Sequence, residues 1–182
     1  MLIFLLDAGV LYAQPDDGEE VVFIREYREY GWKEYGTDAV KLPRPIQTVV
    51  DFYLVEYRLN ANKLTINKLT ASRSPTRTAL FNAALSRAQR HATQKILSTA
   101  NPDIIQQLCN GNTVVVDDGF HLNVTLNKPN VSKSFRWNGN YVNELAALLD
   151  VVNKASPEKY KFYESSQQEA FKQSLLRITG TP

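Results

Sequence analysis

The side chains able to do acid–base or nucleophilic chemistry are few in kind and scattered: one cysteine, Cys109, two histidines, His91 and His121, and 19 carboxylates. Cys109 stands just before Asn110-Gly111, at the expected end of a short apolar helix. The carbonyl end of a helix dipole disfavours a thiolate, so this is read as a structural thiol rather than a nucleophile. A single cysteine also excludes an intrachain disulfide and a Cys-rich zinc site. The two histidines are 30 residues apart and show neither H-x-x-x-H nor H-x-H spacing, so no metal site is expected.

Among the carboxylates, Glu56 is singular because it lies between Val55 and Tyr57 inside a run that reads as strand, where a buried charge is costly. Asp117 and Asp118 read as turn formers, and Asp16, Asp17, Glu19 and Glu20 as a solvated segment without calcium-loop spacing. The chain has no G-x-S-x-G elbow and no Gly-rich phosphate loop. No catalytic residue, metal or cofactor is therefore assigned. The expectation is a binding domain rather than an enzyme, with a carboxylate hydrolase using Glu56 as the third reading.

Two surfaces could carry binding. Phe23, Tyr27, Tyr30, Trp32, Tyr35, Phe52, Tyr53 and Tyr57 place eight of the 19 aromatics within 35 residues. Strand alternation would then give one buried face and one exposed Tyr-rich face. Tyr27, Tyr30, Trp32, Tyr35, Tyr53 and Tyr57 are accordingly the candidate contacts for a protein partner, since Tyr and Trp join apolar area to a polar tip. The second surface is basic. The net charge of +2 conceals −6 over residues 1–38, +8 over 39–100 and zero over 101–182. Arg73, Arg77, Arg87, Arg90 and Lys95 are the candidate anion-binding residues, for nucleic acid or another anionic polymer.

Positioning these residues requires strands and helices. Residues 46–59 lack Gly and Pro and are rich in β-branched and aromatic types, which predicts a long strand. Asn60-Ala61-Asn62 predicts a turn, residues 63–70 the returning strand, and residues 21–30 an earlier strand. Ser74-Pro75 predicts a helix start, with Phe81, Leu85, Ala88, Ala92 and Ile96 as its apolar stripe. Asn101-Pro102 predicts a second short helix. Strands follow over 113–117, 120–126 and 131–137, with turns at Asp118-Gly119 and Asn127–Asn130. A helix with Tyr141, Leu145, Leu148, Leu149 and Val152 comes next, and a last one from Ser166 through Ile178.

The fold class is therefore α+β: an antiparallel sheet built from two successive multi-strand-then-helix units, with the helices packed on one face. With 182 residues, 43% hydrophobic and 22% charged, the chain has the composition of one globular domain, expected over residues 14–182. Residues 1–13 are almost wholly apolar and end in Ala13 before Gln14. They are too short to span a bilayer, which takes about 20 apolar residues, and match a secretory core followed by a cleavage site. A periplasmic or secreted location is expected on that reading. If Leu2–Leu6 is instead a core strand, the location is cytoplasmic.

Overall fold

The structure, a computed structural model, describes residues 18–33, 46–70, 76–110, 122–137 and 142–163. Within them lie six strands: β1 (Glu20–Lys33), β2 (Ile46–Asn60), β3 (Lys63–Thr70), β4 (Arg77–Ala84), β5 (Leu122–Lys128) and β6 (Val131–Trp137). They form one antiparallel sheet in the order β4-β3-β2-β1-β5-β6. Three helices pack against it: α1 (Arg87–Thr99), α2 (Pro102–Asn110) and α3 (Asn143–Ala155). This is the expected α+β architecture, with β1–β4 followed by two helices and β5–β6 by the third.

Register decides which side chains meet the helices. Phe23 on β1 lies opposite Tyr57 on β2 and Val124 on β5, and Tyr57 lies opposite Ile66 on β3. Val124 in turn lies opposite Phe135 on β6. Because strand side chains alternate, the same face carries Val21, Val55, Leu59, Leu64, Leu122, Leu126 and Trp137. All are buried in one cluster with Leu97 of α1, Ile105 of α2 and Leu145, Leu148, Leu149 and Val152 of α3. The opposite face mixes buried Val22 and Leu69 with Glu20, Glu56, Arg58, Asn67 and Asn127, whose side chains pair across strands.

Local chemistry explains most of the boundaries. Asn60 Oδ1 accepts from the N–H groups of Asn62 and Lys63 at 2.9 and 3.0 Å, which makes the β2–β3 turn. Asn101 Oδ1 accepts from the N–H groups of Asp103 and Ile104 at 3.0 and 3.3 Å, capping α2 with Pro102 in its first position.

The first long helix starts later than the Ser74-Pro75 signal predicts. Residues Arg77–Ala84 form β4, paired with β3, and α1 starts at Arg87. The cap is Ser86, whose Oγ accepts from Gln89 N–H at 3.3 Å while Gln89 Oε1 accepts from Ser86 N–H at 2.9 Å. Phe81 therefore sits on a strand opposite Ile66, not on a helical stripe. The predicted strand over 113–117, Tyr141 and the last helix lie outside the described residues, as does the Leu2–Leu6 strand.

β1 and β2 outrun their neighbours. β5 pairs with β1 only over Glu20–Ile24, and β3 pairs with β2 only over Tyr53–Leu59. β3 leaves because its hairpin with β4 closes at Thr70, whose N–H donates to Thr76 O at 3.2 Å. Arg28–Lys33 and Ile46–Phe52 thus pair, among the described strands, only with each other. The result is a two-stranded ribbon extending from one end of the sheet.

Candidate basic face and buried networks

Glu56 is buried in β2 on the face opposite the core cluster, and its charge is fully engaged. Arg77 Nε and Nη2 donate to its two oxygens at 3.0 and 2.9 Å, and Asn67 Nδ2 donates at 2.7 Å. A forked guanidinium of this kind is the strongest common partner for a carboxylate, and it suits a structural role. Among the described residues the contacts of Glu56 are with Arg77 and Asn67, and none is with a second acid. Arg77, one of the five candidate anion-binding cations, is committed to this pair.

A second fork on the same face joins Arg58 to Glu20 at 3.0 and 2.6 Å, and Asn127 Nδ2 donates to Glu20 at 3.4 Å. Asn127 then accepts from Ser132 Oγ at 2.7 Å. These contacts run across β2, β1, β5 and β6 and lock the register by polar pairing.

The aromatic candidates divide. Tyr57 is buried beneath the segment after α3, donating its hydroxyl to Tyr160 O at 2.9 Å with its ring 4.6 Å from that of Phe162. Burial pushes its phenol up to about 12, against the lowering pull of Arg25. Tyr53 is also buried; its ring stacks on half-buried Tyr27 at 5.0 Å and lies under Lys68 Nζ at 3.9 Å. Tyr53 and Tyr57 therefore belong to the core face rather than to an exposed Tyr-rich face. Tyr30 and Trp32 occupy ribbon positions opposite Val49 and Gln47. Tyr35 and Arg73 lie outside the described residues, as does His121.

The remaining cations come together on α1. Its buried side is Thr93 and Leu97, flanked by Ile96. Arg87, Arg90, His91 and Lys95 are all exposed; at 3.6 residues per turn Arg87, His91 and Lys95 point away from that side, while Arg90 lies at its border, in line with Leu97. The helix RAQRHATQKILST contains no acid. None of these four side chains forms an ion pair among the described residues. Two of the arginines stand in the first turn or just after it, at the positive end of the helix dipole, where a cation is disfavoured. Lys128 adds a further positive group at the other end, donating to Ser98 O at 3.2 Å, although Glu19 lies 3.5 Å from it.

Cys109 is buried in α2, and burial pushes its thiol up to about 12, in keeping with a packed thiol. Among the described residues no cluster of three metal-ligating side chains occurs, and no helix is long and apolar enough to cross a membrane. No protein-family model matches the chain, nor does any curated protein or solved structure.

Proposed function

We propose that the protein is a non-enzymatic domain that binds an anionic polymer through the outer face of α1. One observation carries this reading: three exposed cations, Arg87, Arg90 and Lys95, on a helix with no acid, none of them ion-paired among the described residues. Sequence placed there for solubility alone would mix signs and would favour acids in the first turn. Export accompanies this reading as an expectation from the sequence alone, resting on the apolar residues 1–13 that end in Ala13 before Gln14.

Three cations meeting a duplex backbone imply a slope of about −2.7 in log affinity against log salt, or roughly 40-fold weaker binding between 50 and 200 mM salt. The test titrates the full chain with a sulfated polysaccharide and with duplex DNA across that salt range. The matched variant carries Arg87→Gln, Arg90→Gln and Lys95→Gln together. Loss of binding in the variant and a salt-dependent affinity in the parent are expected. Affinity indifferent to salt, or unchanged in the variant, removes the proposal.

A second reading, capture of a protein partner, is supported by the ribbon. Its β2 edge, Ile46–Phe52, pairs with no other described strand on that side and lacks the proline and lysine that usually guard a free edge, and a free edge can accept an added strand.

A further inference from the structure

Beside the basic face lies a half-open cleft of about 590 Å³, bounded by Gly18, Glu19 and Glu20 where the chain enters β1, the β2–β3 turn, and Gln94 and Leu97 of α1. Arg90, Gln94 and Leu97 recur at intervals of four and three, so one stripe of α1 runs from the cations to the cleft. Leu97 is buried and forms the floor. The turn is tied to the helix start, because Asn62 O accepts from Leu85 N–H at 2.9 Å. The cleft wall is thus held in place from both sides.

Its lining has a definite chemistry. Asn60 commits its Oδ1 to the turn, which leaves its NH₂ group without a partner among the described residues. The amides of Asn62 and Gln94 likewise have no partner among them. The two acids are already answered, Glu20 by Arg58 and Glu19 by Lys128. Amides offer donors and acceptors side by side, which suits the adjacent hydroxyls of a sugar. Among the described residues no aromatic ring lines the cleft, so they provide no platform on which a base could stack.

We infer that this cleft holds one sugar residue of an anionic polysaccharide whose sulfate or carboxylate groups lie along Arg87, Arg90 and Lys95. The inference rests on the basic-face reading and narrows it from anionic polymers in general to polysaccharide.

Gly18 supplies the decisive variant. Gly18 lines the cleft and a Cβ placed there meets no atom within 4 Å, so Gly18→Tyr adds bulk at the cleft from a position with room for its first carbon. Gln94→Ala, on the exposed surface of α1, removes an amide and keeps the helix. The full chain and both variants are titrated by calorimetry, at one salt concentration, with a heparin-derived oligosaccharide and with single-stranded DNA of equal charge. Each variant is expected to weaken oligosaccharide binding about three- to tenfold, the range for a lost hydrogen bond, and to leave DNA binding within twofold. Oligosaccharide affinity unchanged in both variants overturns the sugar site. So does an equal loss for DNA, which would make the cleft part of an indiscriminate electrostatic track. If only the triple α1 variant fails to alter binding, the basic-face reading falls instead. A circular-dichroism spectrum accompanies each titration, and Gln94→Ala decides the matter should Gly18→Tyr fail to fold.

Discussion

Thr93 faces the core from the middle of α1, and its Oγ1 is the one buried side-chain polar atom among the described residues that makes no hydrogen bond. An unpaired buried hydroxyl carries its full desolvation cost, about 1 to 3 kcal/mol. Thr93→Val keeps the shape and removes that group, so it should raise stability by about 1 kcal/mol, read as a higher urea midpoint at unchanged slope. A lower midpoint would show that the hydroxyl has a partner. Cys109 makes a prediction in pH. Burial raises its thiol from 9.0 to about 12 in the folded chain. Below pH 9 both folded and unfolded chains keep the proton; above it the unfolded chain ionises first and is favoured. Stability should therefore fall as pH rises from about 9 to about 12, with Tyr57 adding to the fall above about 10. Urea midpoints across that window should decline less steeply in Cys109→Ala. An equal decline would assign the effect to other groups.

At the scale of the element, α1 sets stability against binding. Its first residue is Arg87, where the helix dipole favours an acid. Arg87→Glu should raise stability by about 0.5 to 1 kcal/mol while weakening polyanion binding. Unchanged stability together with unchanged polyanion affinity in Arg87→Glu would show that the cation is incidental. The same helix shows what sequence can and cannot reveal. Ser86 and Gln89 form a capping box that is present in the sequence as S-x-x-Q, yet the stripe Phe81, Leu85, Ala88, Ala92, Ile96 draws the helix start back to Ser74-Pro75. That stripe is helical in spacing through Leu85 only by coincidence, because Ala79–Ala83 pair with β3 and tertiary pairing overrides local propensity. The β2–β3 turn was legible because Asn60 carries its own hydrogen-bond chemistry. The aromatic cluster misled for the opposite reason: alternation separates two faces of a strand but does not say which one the helices cover, and here they cover the face holding Tyr53 and Tyr57. Glu56 was recognised as costly, but its partner Arg77 lies two strands away and only the register could supply it.

At the scale of the whole molecule, the six-stranded sheet continues, among the described strands, into a ribbon of β1 and β2 alone. Beyond Tyr27 in β1 and before Tyr53 in β2 the two strands pair, among the described strands, only with each other. Glu29 and Asp51 lie opposite each other where the ribbon begins, just before its register shift. A two-residue Asn-Gly turn joining Glu29 directly to Asp51 has the geometry of a tight hairpin and would delete the ribbon cleanly. An isolated two-strand ribbon is only marginally stable in water, so it contributes little to the folding of the rest. The shortened chain should unfold at nearly the parent's urea midpoint and keep the parent's affinity and salt slope for the polyanion. If a protein partner is captured by the parent through strand addition at Ile46–Phe52, that capture alone should vanish. Collapse of the shortened chain would instead make the ribbon part of the core, and loss of polyanion binding with the fold intact would move the anion site from α1 to the ribbon.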